Sequence, residues 1–284
     1  MVIDAFANAG YDYATTHEAD MGFPTKPPAR LNTISLNDGF VITDRASFEE
    51  YPWPDPEACD YSRLEQIAPY LPEGMKLMVM GPGGVLENVI SLVGYENLCF
   101  MLFDDPGLVG DIFDAVGSRL LRYYERSIVY DSVGVLMSND DWGFNRQTFL
   151  SVEDMRKYVF PWHKRIVETA HRHGKPALLH SCGYMNDVME DIIGVMRYDG
   201  KHSFEDNILP VEESYRRWGE RIAILGGIDI NFIVRSTPDA VRARCESMLG
   251  LTREKGGYAL GSGNSIPEYI PWDNYFAMIN TGYK

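Results

Sequence analysis

From about Gly74 onward, short apolar runs alternate with longer amphipathic stretches, and Gly, Asp, Asn or Ser stand between them. The apolar runs fall at residues 76–80, 133–137, 176–180, 197–201, 222–225 and 257–260. Apolar positions at helical spacing place helices at 85–93, 106–129, 152–173, 185–193, 211–218, 238–254 and 272–280. Strands that alternate with helices in this way form parallel sheets joined by right-handed crossovers. Several helix boundaries carry their own punctuation. Ser151 with Asp154 is a capping-box-like start, Thr237-Pro238 opens the helix that follows it, and Gly174 suits a left-handed C-terminal cap. Pro161 lacks an N–H and should kink or restart the helix around it.

The first 70 residues break this rhythm. Ile34–Ile42, with Asn37-Asp38-Gly39 at its centre, reads as a β-hairpin closed by a tight turn. Tyr51-Pro52-Trp53-Pro54-Asp55-Pro56 reads as a connecting loop. Six strands follow residue 74, so one or two more are expected earlier, around 11–17. The predicted architecture is α/β: one (β/α)8 TIM barrel domain over 1–284, with an irregular N-terminal segment, 1–70, that contains the hairpin. An open doubly wound sheet is the alternative.

Composition narrows the function. A chain of 284 residues, 45% hydrophobic and 24% charged, is long enough to bury a large core. No apolar run approaches the roughly 20 residues that span a bilayer, and the N-terminus lacks the basic-then-apolar pattern of a signal peptide. The expected setting is cytoplasmic, without membrane attachment. Cys59, Cys99, Cys182 and Cys245 are scattered and suit reduced thiols rather than a disulfide framework. A net charge of −15 disfavours a nucleic-acid partner and weighs against a highly anionic small substrate.

In a parallel barrel, catalytic groups follow the C-terminal ends of strands. Those positions hold Asn139-Asp140-Asp141-Trp142, His180-Ser181-Cys182, His202 and Glu205, Gly227 with Asp229, and Ser262 with Asn264. His180 and Cys182 are two apart on an extended backbone and so face one side. Imidazole and thiolate together suit zinc, whose catalytic sites use about three protein ligands and keep a position open. His202, Glu205, Asp229 or a group near Ser262 are the candidates for the third. A structural histidine beside a small buried cysteine is the competing reading. Asp140 or Asp141 suits a carboxylate base or a clamp for a cationic group, and His202 with Glu205 an acid–base pair. Asn139, Trp142, Gly227, Asp229, Ser262 and Asn264 are expected to line the substrate pocket. Gly81–Gly84 reads as a tight turn, and His163, His171 and His173 as exposed or capping groups on one helix. Cys59, Cys99 and Cys245 are expected to be inert.

Taken in order, Asn139-Asp140-Asp141-Trp142-Gly143, Phe160-Pro161-Trp162, Leu179-His180-Ser181-Cys182-Gly183, Leu225-Gly226-Gly227-Ile228-Asp229 and Gly261-Ser262-Gly263-Asn264 resemble the uroporphyrinogen decarboxylase superfamily. The likeness is to its branch of cobalamin-dependent methyltransferases. That resemblance implies a (β/α)8 barrel and methyl transfer between a small methylated compound or acceptor and a partner corrinoid protein, which supplies the cobalamin. It also implies zinc held by His-x-Cys and by a later cysteine in a Gly-Cys-Gly string. His180 and Cys182 match the first two ligands. Ser262 stands at the later position, so the zinc is conditional on another third ligand. The decarboxylase branch meets its polycarboxylate substrate with an Arg-rich N-terminal segment that this chain lacks; its opening segment is expected to be shorter or built differently. A uroporphyrinogen-decarboxylase-like lyase and a non-catalytic corrinoid- or ligand-binding barrel are the rival functions.

Overall fold

The computed structural model describes residues 2–17, 21–27 and 35–282. Seven parallel strands form one sheet in strictly sequential order: β1 (Tyr13–His17), β2 (Lys76–Met80), β3 (Val133–Asn139), β4 (Ala177–His180), β5 (Gly200–His202), β6 (Ala223–Leu225) and β7 (Tyr258–Ala259). The sheet curls into a half-barrel, so the chain has the TIM-barrel-like α/β fold that the alternation predicts. An open doubly wound sheet would reverse strand order at a switch point; this order never reverses. Seven strands, rather than eight, lie among the described residues.

The helices are α1 (Val2–Asn8), α2 (Arg45–Glu50), α3 (Arg63–Gln66), α4 (Val85–Val93), α5 (Tyr95–Asp104), α6 (Pro106–Ser127), α7 (Val152–Asp154), α8 (Phe160–Arg172), α9 (Val211–Trp218), α10 (Ile230–Arg235), α11 (Pro238–Thr252) and α12 (Trp272–Gly282). Between α7 and α8 the chain widens into π turns over Met155–Val159 and restarts at Phe160-Pro161, because Pro161 has no N–H for the regular ladder. No single helix among the described residues is long and apolar enough to cross a membrane.

Three local expectations need correction. Residues 35–42 form a turn without strand pairing; Val41 and Ile42 instead donate to the Leu92 carbonyl at the end of α4. The first arm of the expected hairpin lies partly outside the described residues. The run at 197–201 is a strand only from Gly200, since Arg197 takes a left-handed φ of 65° that closes the preceding π turns. The helix expected at 185–193 is a 3-10 turn (Asn186–Val188) followed by π turns at Asp191–Met196.

Strand alternation sorts the side chains into two environments. Leu77, Val79, Val133, Leu136, Leu179 and Ile224 pack outward in the main core, almost fully buried; each such burial stabilises by about 1.5–3 kcal/mol. Inward, the register aligns Met80, Met137, Leu178, Gly200 and Ala223 in one row. Gly200 is needed there, because a Cβ would meet Leu225 and Leu178 at 2.6 and 2.8 Å. The next row toward the strand C-termini is Asn139, His180, His202, Leu225 and Ala259. A methionine-rich floor therefore carries a polar layer at the mouth.

Candidate functional site

β4 ends at His180, and the extended chain beyond it carries Cys182 to the same side; the two side chains meet at 3.7 Å between Nε2 and Sγ. β3 runs beside β4 with Asn139 opposite His180, which brings Asp141 to the same spot. Asp141 Oδ1 accepts the Cys182 amide at 2.7 Å. One ligand atom from each of Asp141, His180 and Cys182 lies within 4.8 Å of the others. Carboxylate, imidazole and thiolate are all zinc donors, and three protein ligands leave the open position of a catalytic site.

The electrostatics favour a cation at this point. Burial first, then the Asp141 charge, pushes the Cys182 thiol up to about 12, against the pull of two hydrogen bonds. Ser203 Oγ donates to Sγ at 3.3 Å and Asn264 Nδ2 at 3.2 Å. Two donors aimed at a sulfur beside a carboxylate prepare a thiolate that the protein alone does not sustain. A divalent ion would resolve that conflict, since a coordinating thiol is deprotonated outright. His180 is held below its ordinary range, mainly by burial, which suits the neutral imidazole that a metal takes as donor. The donor set therefore fits zinc.

The third member of this candidate donor set is Asp141, and not one of the residues named for that place. Ser262 Oγ donates to the Asn264 carbonyl at 2.7 Å, while the Ser262 carbonyl faces His202. His202 lies one shell out, its Nδ1 2.7 Å from His180 Nδ1. Asp229 caps α10 by accepting the Phe232 amide and also takes the Asp206 amide. Glu205 belongs to the cleft.

Asp140, paired in sequence with Asp141, does different work. It is fully buried, and its carboxylate accepts the Leu86 and Glu87 amides at the start of α4 and bonds His163 Nε2 at 2.8 Å. This is an anchor, which corrects the catalytic reading. His163, expected at the surface, is buried between Asp140 and Tyr198. Trp142 is also fully buried, edge-on to His163, and Gly227 packs its backbone against Val211. Neither lines the cleft over Cys182. Asn139 and Asn264 do reach the site: Asn264 contacts Cys182, and Asn139 Oδ1 is buried at the mouth without a partner.

A cleft of about 660 Å³ opens over Cys182, lined by residues 143–147, Gly183 and Glu205. The loop above it is braced by the Gly143–Thr148 bridge and the Phe144–Gln147 hydrogen bond. It holds Arg146, the single cation among the lining residues. Burial first, then Asp229 and Asp141, raises the Glu205 carboxyl above its usual range. Beneath, the buried Lys201 ammonium donates to the carbonyls of Ser181, His202 and Ser203. Sequence reasoning missed Ser203, Lys201 and Arg146. Ser203 places its hydroxyl through a left-handed φ of 81°, a conformation that a serine in a sequence does not announce.

Comparison with known proteins assigns the family and matches the fold. The uroporphyrinogen decarboxylase (URO-D) family model matches residues 64–284. A uroporphyrinogen decarboxylase from Anaeromyxobacter dehalogenans is 22% identical over 193 residues, 66% of this chain; the chain spans about half, 51%, of that relative's length. Among solved structures, a methyltransferase from Methanosarcina mazei superposes with a TM-score of 0.69 at 14% identity, covering 99% of this chain and 82% of that one. A putative vitamin-B12-independent methionine synthase from Listeria monocytogenes gives 0.50 at 13% identity, covering 99% and 83%. At such identities these two likenesses are of fold.

Proposed function

The chain belongs to the uroporphyrinogen decarboxylase family, and from that premise we propose that it is a corrinoid-dependent methyltransferase. Methyl transfer would run between a small methylated compound or acceptor and the cobalamin of a partner corrinoid protein. The observation that carries this reading is the Asp141, His180 and Cys182 donor set, whose Cys182 lines an open cleft. Those three residues would hold zinc, whose chemistry here is to lower the pKa of a substrate thiol or hydroxyl in the open position. Ser203 and Asn264 orient the Cys182 sulfur and spread its charge. Glu205, its carboxyl raised and facing the cleft, accepts or returns the substrate proton. Arg146 and Phe144 bound the entrance, where they select and orient what enters. Four free cysteines fit a reducing, cytoplasmic setting.

Decarboxylation of a polycarboxylate fits less well. Such a substrate calls for several cations, and the cleft lining supplies Arg146 against Glu205. The test is direct. Zinc-loaded protein is incubated with methylcobalamin and a panel of small thiols, and cob(I)alamin is followed by its visible spectrum. Demethylation that disappears in Cys182→Ala supports the proposal; turnover of uroporphyrinogen instead would establish the lyase. Zinc binding without either reaction would leave a ligand-binding barrel.

A further inference from the structure

His180 and His202 are neighbours across β4 and β5, and their Nδ1 atoms are 2.7 Å apart. Two imidazole nitrogens at that distance share one proton, so one must donate and the other accept. The other end of His202 settles which. Its Nε2 is 3.1 Å from the Ser262 carbonyl oxygen, and a carbonyl can only accept. His202 Nε2 therefore carries hydrogen. The ring is neutral, since the Lys201 ammonium, which donates to the His202 carbonyl at 3.3 Å, disfavours a second positive charge beside it. A neutral ring with a proton on Nε2 has a bare Nδ1.

From this chain of contacts we propose that His202 is a positioning residue that fixes the tautomer of His180. The Ser262 carbonyl takes the Nε2 proton of His202, His202 Nδ1 accepts the Nδ1 proton of His180, and His180 Nε2 presents its lone pair toward Cys182. That nitrogen is the one 3.7 Å from Sγ, and the one a metal shared with Cys182 would use. The inference rests on the metal-binding reading for its consequence, though the tautomer itself follows from the contacts alone.

The backbone around the relay is built to hold it. The Ser262 carbonyl also accepts the Gly227 amide at 3.1 Å, and Ser262 is bridged to Ile228. Gly226, at φ 67°, leaves room for the approach: a Cβ there would lie 2.2 Å from that carbonyl oxygen and 2.9 Å from His202 Nε2. Lys201 Nζ and the Ser181 amide both donate to the His202 carbonyl. Three successive strand ends thus converge on the orientation of one imidazole. Outer groups that orient a metal-bound histidine in this way are worth about 10–100-fold in metal affinity.

The deciding measurement is long-range proton–nitrogen NMR of the metal-free full-length protein labelled with 15N-histidine. The expected result is His180 protonated on Nδ1 and His202 on Nε2; His180 protonated on Nε2 overturns the proposal, whatever the protein does with metal. Zinc titration of variants then reads the consequence. His202→Phe is expected to bind zinc about 10–100-fold more weakly. His202→Asn, whose amide oxygen can accept the His180 proton, should recover most of that loss. Equal weakness in both variants would reduce His202 to a space-filling role, and parental affinity in His202→Phe would remove it from the site. Absence of zinc binding by the parent protein would refute the metal reading, while the tautomer measurement would still stand or fall by itself.

Discussion

At Cys182 two hydrogen-bond donors and one carboxylate pull in opposite directions, and the carboxylate with burial prevails. Replacing Asp141 by Asn separates these influences. The metal-free thiol should then ionise at lower pH, visible as faster alkylation in a pH series, because the neighbouring negative charge is gone. The same variant should lose stoichiometric zinc, since a donor is gone with it. A variant that kept full zinc occupancy would take Asp141 out of the ligand set. The sequence reveals part of this. His180 and Cys182 are legible because a period of two at a strand end puts both on one side. Asp140 and Asp141 are not separable in the same way. They are adjacent and chemically identical, and only the approach of α4 assigns one to the core and the other to the site.

That approach works at the scale of elements. Asp140 joins the end of β3 to the first turn of α4, and Gly84 permits the contact, since a Cβ there would lie 2.1 Å from the Asp140 carboxyl carbon. Asp140→Ala leaves two amides and the buried His163 without their acceptor. A loss of about 3–5 kcal/mol is expected, measured by urea denaturation. In the same turn, burial first and then Asp140 and Asp141 raise the Glu87 carboxyl to about 8 from its ordinary 4.5. The folded protein then keeps a proton that the unfolded chain releases. The stability this contributes is complete below about pH 4.5 and fades as pH rises through 8. Metal-free protein should therefore become less stable across that window, and Glu87→Gln should flatten the slope. His202 acts with the opposite sign: held down to about 3, it withholds stability as pH falls below 6.5. Element boundaries were legible where local chemistry fixes them, as at 76–80, 85–93 and 211–218. They were not where a backbone special intervenes. Arg197 in a left-handed turn and the π turns around 155–159 and 191–196 follow from tertiary packing, which periodicity does not encode.

For the whole molecule, the rhythm of runs and helices was enough to name a parallel barrel, because the strand order simply follows the chain. The number of strands was harder. β6 and β7 are three and two residues long, below the length at which an apolar run stands out. If the site holds zinc, ligation will stabilise the entire fold by linkage. A hundredfold excess over the dissociation constant adds about 2.7 kcal/mol. The melting temperature should rise by several degrees with zinc and fall back with a chelator, with no shift in Cys182→Ala.

Sequential strand order also sets a timetable for a growing chain. Asp141, His180, Cys182 and Ser203 leave the ribosome within one continuous stretch, from adjacent strand ends. Ser262 and Asn264, which hold His202 and the Cys182 sulfur, arrive about sixty residues later. A nascent chain halted between them would carry every metal donor but none of the late supports. If the site holds zinc, such a chain would grip it loosely, and tighten its hold only once residues 262–264 had emerged.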